Sequence, residues 1–188
     1  MIVFNIDGLG ALRPLADTDL GMVLEWRNRP AVRANMYTQH EITLAEHTAW
    51  WARTKDRKSD RYFVFESASQ PCGVVSFNEL NSETKTSCWA FYAAPDAPKG
   101  SGTRMEFLAL DYYFQALKMR KLSCEVLAFN KPVLNLHRKF GFQQEGCFTQ
   151  HTLVDGSYID VHRLALFADR WQKDRDNIHV GIMKRIRN

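Results

Sequence analysis

The sequence predicts an α+β fold built on a mixed β-sheet. Three observations carry that prediction. Tyr62–Glu66, Cys72–Leu80 and Thr86–Ala93 are short alternating segments separated by turn residues, the pattern of antiparallel strands. Thr103–Met119 is apolar around most of its girth, with Met105, Leu108, Ala109, Tyr112 and Ala116 on one stripe and Phe107, Leu110, Phe114 and Leu117 on another, so it is a buried helix. Asp155-Gly156 separates two alternating segments, Gln144–Val154 and Ser157–Phe167, and marks a hairpin.

The remaining elements follow in order. Phe4–Leu15 reads as an edge strand that runs out at Pro14. Asp17 is placed to cap a helix through Asp19, Met22, Val23 and Trp26, which Pro30 breaks or re-aims. Thr43 and Glu46 have the spacing of a capping box for a second helix that carries Trp50 and Trp51. Gln70-Pro71 and Asn81-Ser82 supply turns between the three strands. Leu122–Phe129 is a strand with Cys124 and Val126 on one face and Glu125 on the other. Asn130 opens the next helix, and Gly141 is placed to end it in the left-handed region.

With 188 residues, 45% hydrophobic and 24% charged, the chain fits one globular domain, residues 1–188, with a core over about 10–171 and a short basic C-terminal tail, Lys184-Arg185-Ile186-Arg187. A net charge of +4 with scattered basic residues argues against nucleic acid as a partner. No apolar run reaches the length of a membrane span and no leader pattern opens the chain, so a cytoplasmic location is expected and no membrane partner. Cys72, Cys88, Cys124 and Cys147 lack metal-ligand spacing and read as reduced apolar residues; neither a metal nor a disulfide is expected.

The stretch with the most chemistry runs from Ala97 to Phe142. In Ala97-Pro98-Lys99-Gly100-Ser101-Gly102-Thr103-Arg104 the small residues let a turn expose several N–H groups at the positive end of the following helix, a pyrophosphate cradle. After that helix come a strand, Asn130, a second helix and Gly141-Phe142. This order resembles the GNAT superfamily of N-acetyltransferases. The resemblance implies a GNAT fold: a mixed sheet with helices on both faces, and splayed strands forming an acetyl-CoA cleft.

On that resemblance the cofactor-binding residues are Phe91, Tyr92, Ala93, Lys99, Gly100, Ser101, Gly102, Thr103, Arg104 and Asn130. Gly100 and Gly102 match the family's pyrophosphate motif, but Ala97 stands where the family has a basic or amide residue, and Lys99 or Arg104 is left to supply charge. Backbone N–H groups near Phe91–Ala93 are expected at the thioester carbonyl, and Asn130 at the pantetheine arm. His137 stands where the family most often has a Tyr that protonates the leaving thiolate; imidazole, with an ordinary pKa near 6.5, is a competent acid.

The first half narrows the resemblance. Leu24-Glu25-Trp26-Arg27-Asn28, Val32-Arg33 with Met36, His47 with Trp50, and Phe140-Gly141-Phe142 are similar to the pseudaminic-acid pathway N-acetyltransferases of the PseH type. These acetylate the 4-amino group of a UDP-4-amino-4,6-dideoxy sugar. The implied substrate residues are Arg27, Met36, Tyr37, His47, Trp50, Glu79 and Tyr92: a bidentate cation for the diphosphate, apolar and aromatic surface for the uracil and the 6-methyl group, and donors for sugar oxygens. Ser76, through a water, is the expected proton relay for the amine, and Glu125 is expected to orient the substrate. Direct transfer is expected, with Cys124 a core thiol. The alternatives are a ribosomal-protein-type N-terminal acetyltransferase and a non-catalytic CoA-binding module; a homodimer stays open.

Overall fold

The computed structural model describes residues 2–187. One eight-stranded sheet organises them, in the spatial order β1-β2-β3-β4-β5-β6-β8-β7. Its strands are β1 (Phe4–Ile6), β2 (Gly10–Pro14), β3 (Arg61–Ser67), β4 (Gln70–Asn81), β5 (Thr86–Ala93), β6 (Lys121–Leu127), β7 (Gln143–Val154) and β8 (Ser157–Phe167). Every neighbouring pair is antiparallel except β5 and β6. The helices are α1 (Leu20–Asn28), α2 (Pro30–Arg33), α3 (Leu44–Thr54), α4 (Ser101–Asp111), α5 (Lys131–Lys139) and α6 (Ala168–Arg187).

Alternation along the strands assigns two cores. Phe63, Phe65, Val75, Phe77 and Trp89 face α4 and join Met105, Phe107, Leu108 and Trp171 in the larger one. Val64 and Val74 face the other way and pack with Val23 of α1 and Trp51 of α3. The sheet is therefore covered by helices on both faces, as expected.

Local chemistry explains most boundaries. Thr43 Oγ1 accepts from the Glu46 amide at 3.2 Å while the Glu46 carboxylate accepts from the Thr43 amide at 2.7 Å, the reciprocal cap predicted for α3. Gly141, at φ 93°, ends α5. Asp155 and Gly156, at φ 47° and 77°, form the tight β7–β8 turn.

Several expectations are corrected. The N-terminal strand is a hairpin, β1 and β2. Asp17 does not cap α1: it lies in a short 3₁₀ turn, Asp17–Asp19, and its carboxylate accepts from Trp51 Nε1 at 2.6 Å. Pro30 re-aims the chain by starting α2 at its first turn. The turn between β3 and β4 is at Ala68-Ser69, both at positive φ, so Gln70-Pro71 belongs to β4. The long buried helix ends as a π-helical turn at Tyr112–Ala116.

The basic tail is also not a tail. Lys184–Arg187 is the last turn of α6, a 20-residue helix, and the core runs past Trp171 to Ile182. Arg175 holds α6 to α4 through paired bonds to Asp111, one at 2.8 Å. Among the described residues no helix is long and apolar enough to cross a membrane.

Candidate active site

β5 and β6 pair only through Thr86↔Lys121, Ser87↔Leu122 and Cys88↔Ser123. Both strands continue past that point, β5 to Ala93 and β6 to Leu127, without pairing again. Because they run parallel, they diverge in one direction and leave a wedge with unpaired backbone along Trp89–Ala93. Rings fill its base: Trp89 stacks on Phe91 and Phe142, with centroids 4.9 and 6.0 Å away. A free strand edge of this kind holds an extended amide chain such as pantetheine by main-chain hydrogen bonds.

At the open end of the wedge stands the start of α4. Gly100 is its N-cap, at φ 86°, a left-handed conformation that penalises a side chain. A Cβ on Gly102 would meet only Leu136 Cδ2, at 3.9 Å, so this glycine supplies room rather than an unusual backbone. The Ser101 amide donates to the Pro98 carbonyl at 3.0 Å and the Arg104 amide to the Gly100 carbonyl at 3.1 Å, which leaves the amides of Gly102 and Thr103 without a helical acceptor. Lys99 is exposed beside them, with Thr103 in the same first turn. Arg104 is turned away: its guanidinium donates to Ser67 Oγ at 2.8 Å and Ser101 Oγ at 3.1 Å. Lys99, which has no ion-pair partner among the described residues, is thus a cation available to offset Ala97. Asn130 caps α5, accepting from the Val133 amide at 3.3 Å, and its NH₂ group remains a donor. The loop, the edge and Asn130 fit a coenzyme A arm and pyrophosphate. Among the described residues no group of His, Cys, Asp or Glu stands together as a metal site.

On the face carrying α1 and α3, a cavity of about 420 Å³ adjoins β4 and β5. Arg27, Met36, His47, Trp50, Tyr92 and Ser76 all line it, so most of the predicted substrate set comes together. Alternation explains why: Ser76 pairs with Ala90 and Val74 with Tyr92, placing all four on this face. Ser76 Oγ donates to the Ala90 carbonyl at 3.4 Å and accepts from Asn78 Nδ2 at 3.2 Å.

Its electrostatics are lopsided. Arg27 Nη2 donates to the Thr38 carbonyl at 3.3 Å, but Nη1 is buried without a partner among the described residues, as is His47 Nε2. Burial lowers the pKa of Arg27, and burial with the nearby Arg27 charge lowers that of His47, which stacks on Trp50 with centroids 5.1 Å apart. Burial raises that of Tyr92, keeping the phenol a donor. The one carboxylate on the lining, Glu46, is engaged in the α3 cap and by His40.

Four predicted residues lie elsewhere. Glu125, on the outward face of β6, accepts from Tyr37 Oη and from Arg163 Nη1, both at 2.8 Å. Tyr37 therefore spans from the α2–α3 loop to β6 rather than lining the cavity. Glu79 sits exposed on a β4 bulge, at φ 57°, beside a separate small pocket. His137 is 2% exposed beneath the wedge, among Trp89, Phe91 and Phe142, and its Nδ1 is 2.8 Å from Glu106.

Sequence reasoning missed Glu106, whose signal was a lone carboxylate between Met105 and Phe107 in an apolar helix. It also missed Thr38, His40 and Ile42, loop residues without periodicity that wall the cavity, and Gly73, where a Cβ would lie 2.7 Å from the Tyr92 carbonyl oxygen.

Comparison with known proteins agrees with this geometry. Residues 11–143 match the family model described as an acetyltransferase (GNAT) domain. Spermidine N(1)-acetyltransferase of Escherichia coli K12 is 27% identical over 161 residues, covering 85% of this chain and 87% of that protein. Acetyltransferase PseH of Campylobacter jejuni is 29% identical over 128 residues, covering 68% and 79%. The crystal structure of spermidine N-acetyltransferase from Vibrio cholerae with CoA and spermine superposes with a TM-score of 0.80 at 24% identity, covering 86% of this chain and 96% of that one; at this identity it supports the fold. The chain belongs to the GNAT acetyltransferase family and is an N-acetyltransferase whose acetyl donor is acetyl-CoA.

Proposed function

We propose that the acceptor is an amine on an anionic scaffold, a UDP-linked 4-amino-4,6-dideoxy sugar of the kind used in nonulosonic (pseudaminic) acid biosynthesis for flagellin or surface glycans. One observation carries this reading: the unpaired Arg27 Nη1 in a largely apolar cavity. A buried guanidinium N–H without a partner is costly unless something accepts from it, and a diphosphate does so with charge-assisted bonds. Trp50 and Tyr62 offer stacking surface for the base. A polyamine, the substrate named for the spermidine acetyltransferase relatives, would bring its own cations against Arg27, with Glu46 already committed.

In this reading Tyr92 and His47 donate to phosphate or sugar oxygens, and Met36 packs the 6-methyl group. Ser76, beside the wedge, relays the amine proton to solvent through a water. His137 protonates the leaving thiolate from the opposite face. Glu125, Tyr37 and Glu79 act from outside the cavity, Glu125 by tying the Tyr37 loop to β6.

Mass spectrometry of a panel of UDP-amino sugars, spermidine and N-terminal peptides incubated with acetyl-CoA tests the reading. Gain of one acetyl group on a UDP-amino sugar is the expected result. Acetylation confined to spermidine or a peptide overturns it.

A further inference from the structure

Glu106 and His137 form the most deeply buried polar pair described in the chain. The Glu106 side chain is 0% exposed and the His137 side chain 3%, with Oε1 and Nδ1 2.8 Å apart. Neither is placed by chance packing alone: Glu106 projects from the middle of α4, His137 from the last turn of α5, and the two helices meet behind the wedge. The second carboxylate oxygen, Oε2, has no partner among the described residues. A carboxylate left half-satisfied in a dry core destabilises the fold unless it serves a charge.

The other groups facing the ring are few. From β6 comes the Cys124 thiol, which raises the imidazole pKa along with Glu106. From β5 come only Trp89 and Phe91, and from beyond α5 only Phe142, none of them titratable. Cys124 and Trp89 are the first residues past the Cys88↔Ser123 rung, at the base of the wedge. Nδ1 is therefore fixed on Glu106, which leaves Nε2 as the ring nitrogen available to a ligand.

We propose that Glu106 is a positioning residue for acetyl transfer: it fixes the His137 tautomer and holds the imidazole as a cation, so that a histidine–carboxylate pair replaces the usual phenol as proton donor. This rests on the reading of His137 as the acid. As the new C–N bond forms and the C–S bond breaks, His137 passes its Nε2 proton to the departing sulfur. The neutral imidazole is then reprotonated from solvent, and the amine proton leaves separately through Ser76.

The electrostatics agree in direction. Burial alone would push the imidazole down, but the Glu106 carboxylate and the Cys124 sulfur override it and push it up to about 10. Burial pushes the Glu106 carboxyl up, and the imidazolium pulls it back. A carboxylate beside a buried histidine is the arrangement that keeps a ring charged above its ordinary pKa.

The test is the titration of the His137 ring by NMR together with pH–rate profiles of the wild type, Glu106→Gln and His137→Ala. In the wild type the ring stays charged past pH 9 and the alkaline limb of kcat lies near 10. In Glu106→Gln burial is opposed only by the Cys124 sulfur, so the ring is neutral at pH 7.5 and the limb moves below pH 7. There kcat falls about tenfold or more, with KM for acetyl-CoA little changed and partial recovery near pH 6. A wild-type ring that titrates below pH 7 overturns the proposal even if the variant does not fold. So does a Glu106→Gln profile superimposable on wild type while His137→Ala loses about 10²-fold or more. If His137→Ala itself loses less than about tenfold, the acid reading fails, and the proposal with it.

Discussion

Cys88 and Ser123 are the last residues at which β5 and β6 pair, and the residues proposed for catalysis lie around the wedge that opens there. One residue further, Trp89 and Cys124 face α4 and the His137–Glu106 pair. Two residues beyond Cys88, Ala90 faces Ser76 and the acceptor cavity. On the proposed reading, the thioester lies along the strand edge between these faces.

Replacing Arg27 by Ala removes the cation from the cavity. Binding of a UDP-amino sugar should weaken by about 1.5–3 kcal/mol, the worth of a charge-assisted bond, while acetyl-CoA affinity is unchanged. Because Nη1 is unpaired in the free protein, thermal stability should hold or rise. Calorimetry with each ligand and a melting curve check both parts; equal weakening for the two ligands would make Arg27 structural.

The cradle assignment predicts that Gly102→Trp abolishes acetyl-CoA binding and leaves the fold intact. A Cβ there has open space, so the bulk enters the ligand's volume rather than the core. Unchanged CoA affinity in a folded variant would remove this loop from the site.

Gly73 makes the opposite prediction. Its Cβ would fall 2.7 Å from the Tyr92 carbonyl oxygen and 2.8 Å from Met105 Sδ, between β5 and α4. Gly73→Val should destabilise the protein by about 1–3 kcal/mol through overpacking. A melting temperature equal to wild type would show that β5 yields there.

The acid response of stability should centre on Asp19. This carboxylate, 7% exposed, accepts from Arg13 at 2.6 and 2.8 Å and from the Ala16 amide at 2.9 Å. Burial alone would raise its pKa, but these bonds win and lower it below 3.8. A folded pKa below the unfolded one adds stability that is present above the unfolded pKa and lost as pH falls through the folded pKa. Asp19→Asn should therefore be less stable at pH 7 and flatter between about pH 4 and 2. Parallel melting-temperature curves for the two proteins would contradict this.

Much of the fold was legible because it rests on periodicity and caps. The β3–β5 meander, the Thr43–Glu46 box, Asn130 with Gly141 and the Asp155-Gly156 hairpin were all found where alternation or turn chemistry placed them. α6 was not, because its charged residues outnumber an apolar set of Trp171, Ile178, Ile182 and Met183 that only packing against α4 explains. Within the site, Arg27, His47, Trp50, Ser76 and Tyr92 were reachable from residue type and strand parity. The engagement of Glu125 with Tyr37 and Arg163, and of Glu106 with His137, joins residues 38 to 88 positions apart along the chain, or 31 in the last case, and no local pattern encodes it.

The proposed acceptor is recognised through an anion at Arg27. The most direct test of this recognition is kcat/KM with acetyl-CoA for three amines: a UDP-linked 4-amino-4,6-dideoxy sugar, the same sugar without the nucleotide, and spermidine. The UDP-linked sugar should exceed both others by about tenfold or more, the factor expected from one charge-assisted contact. Equal values with and without the nucleotide, or a preference for spermidine, would contradict it.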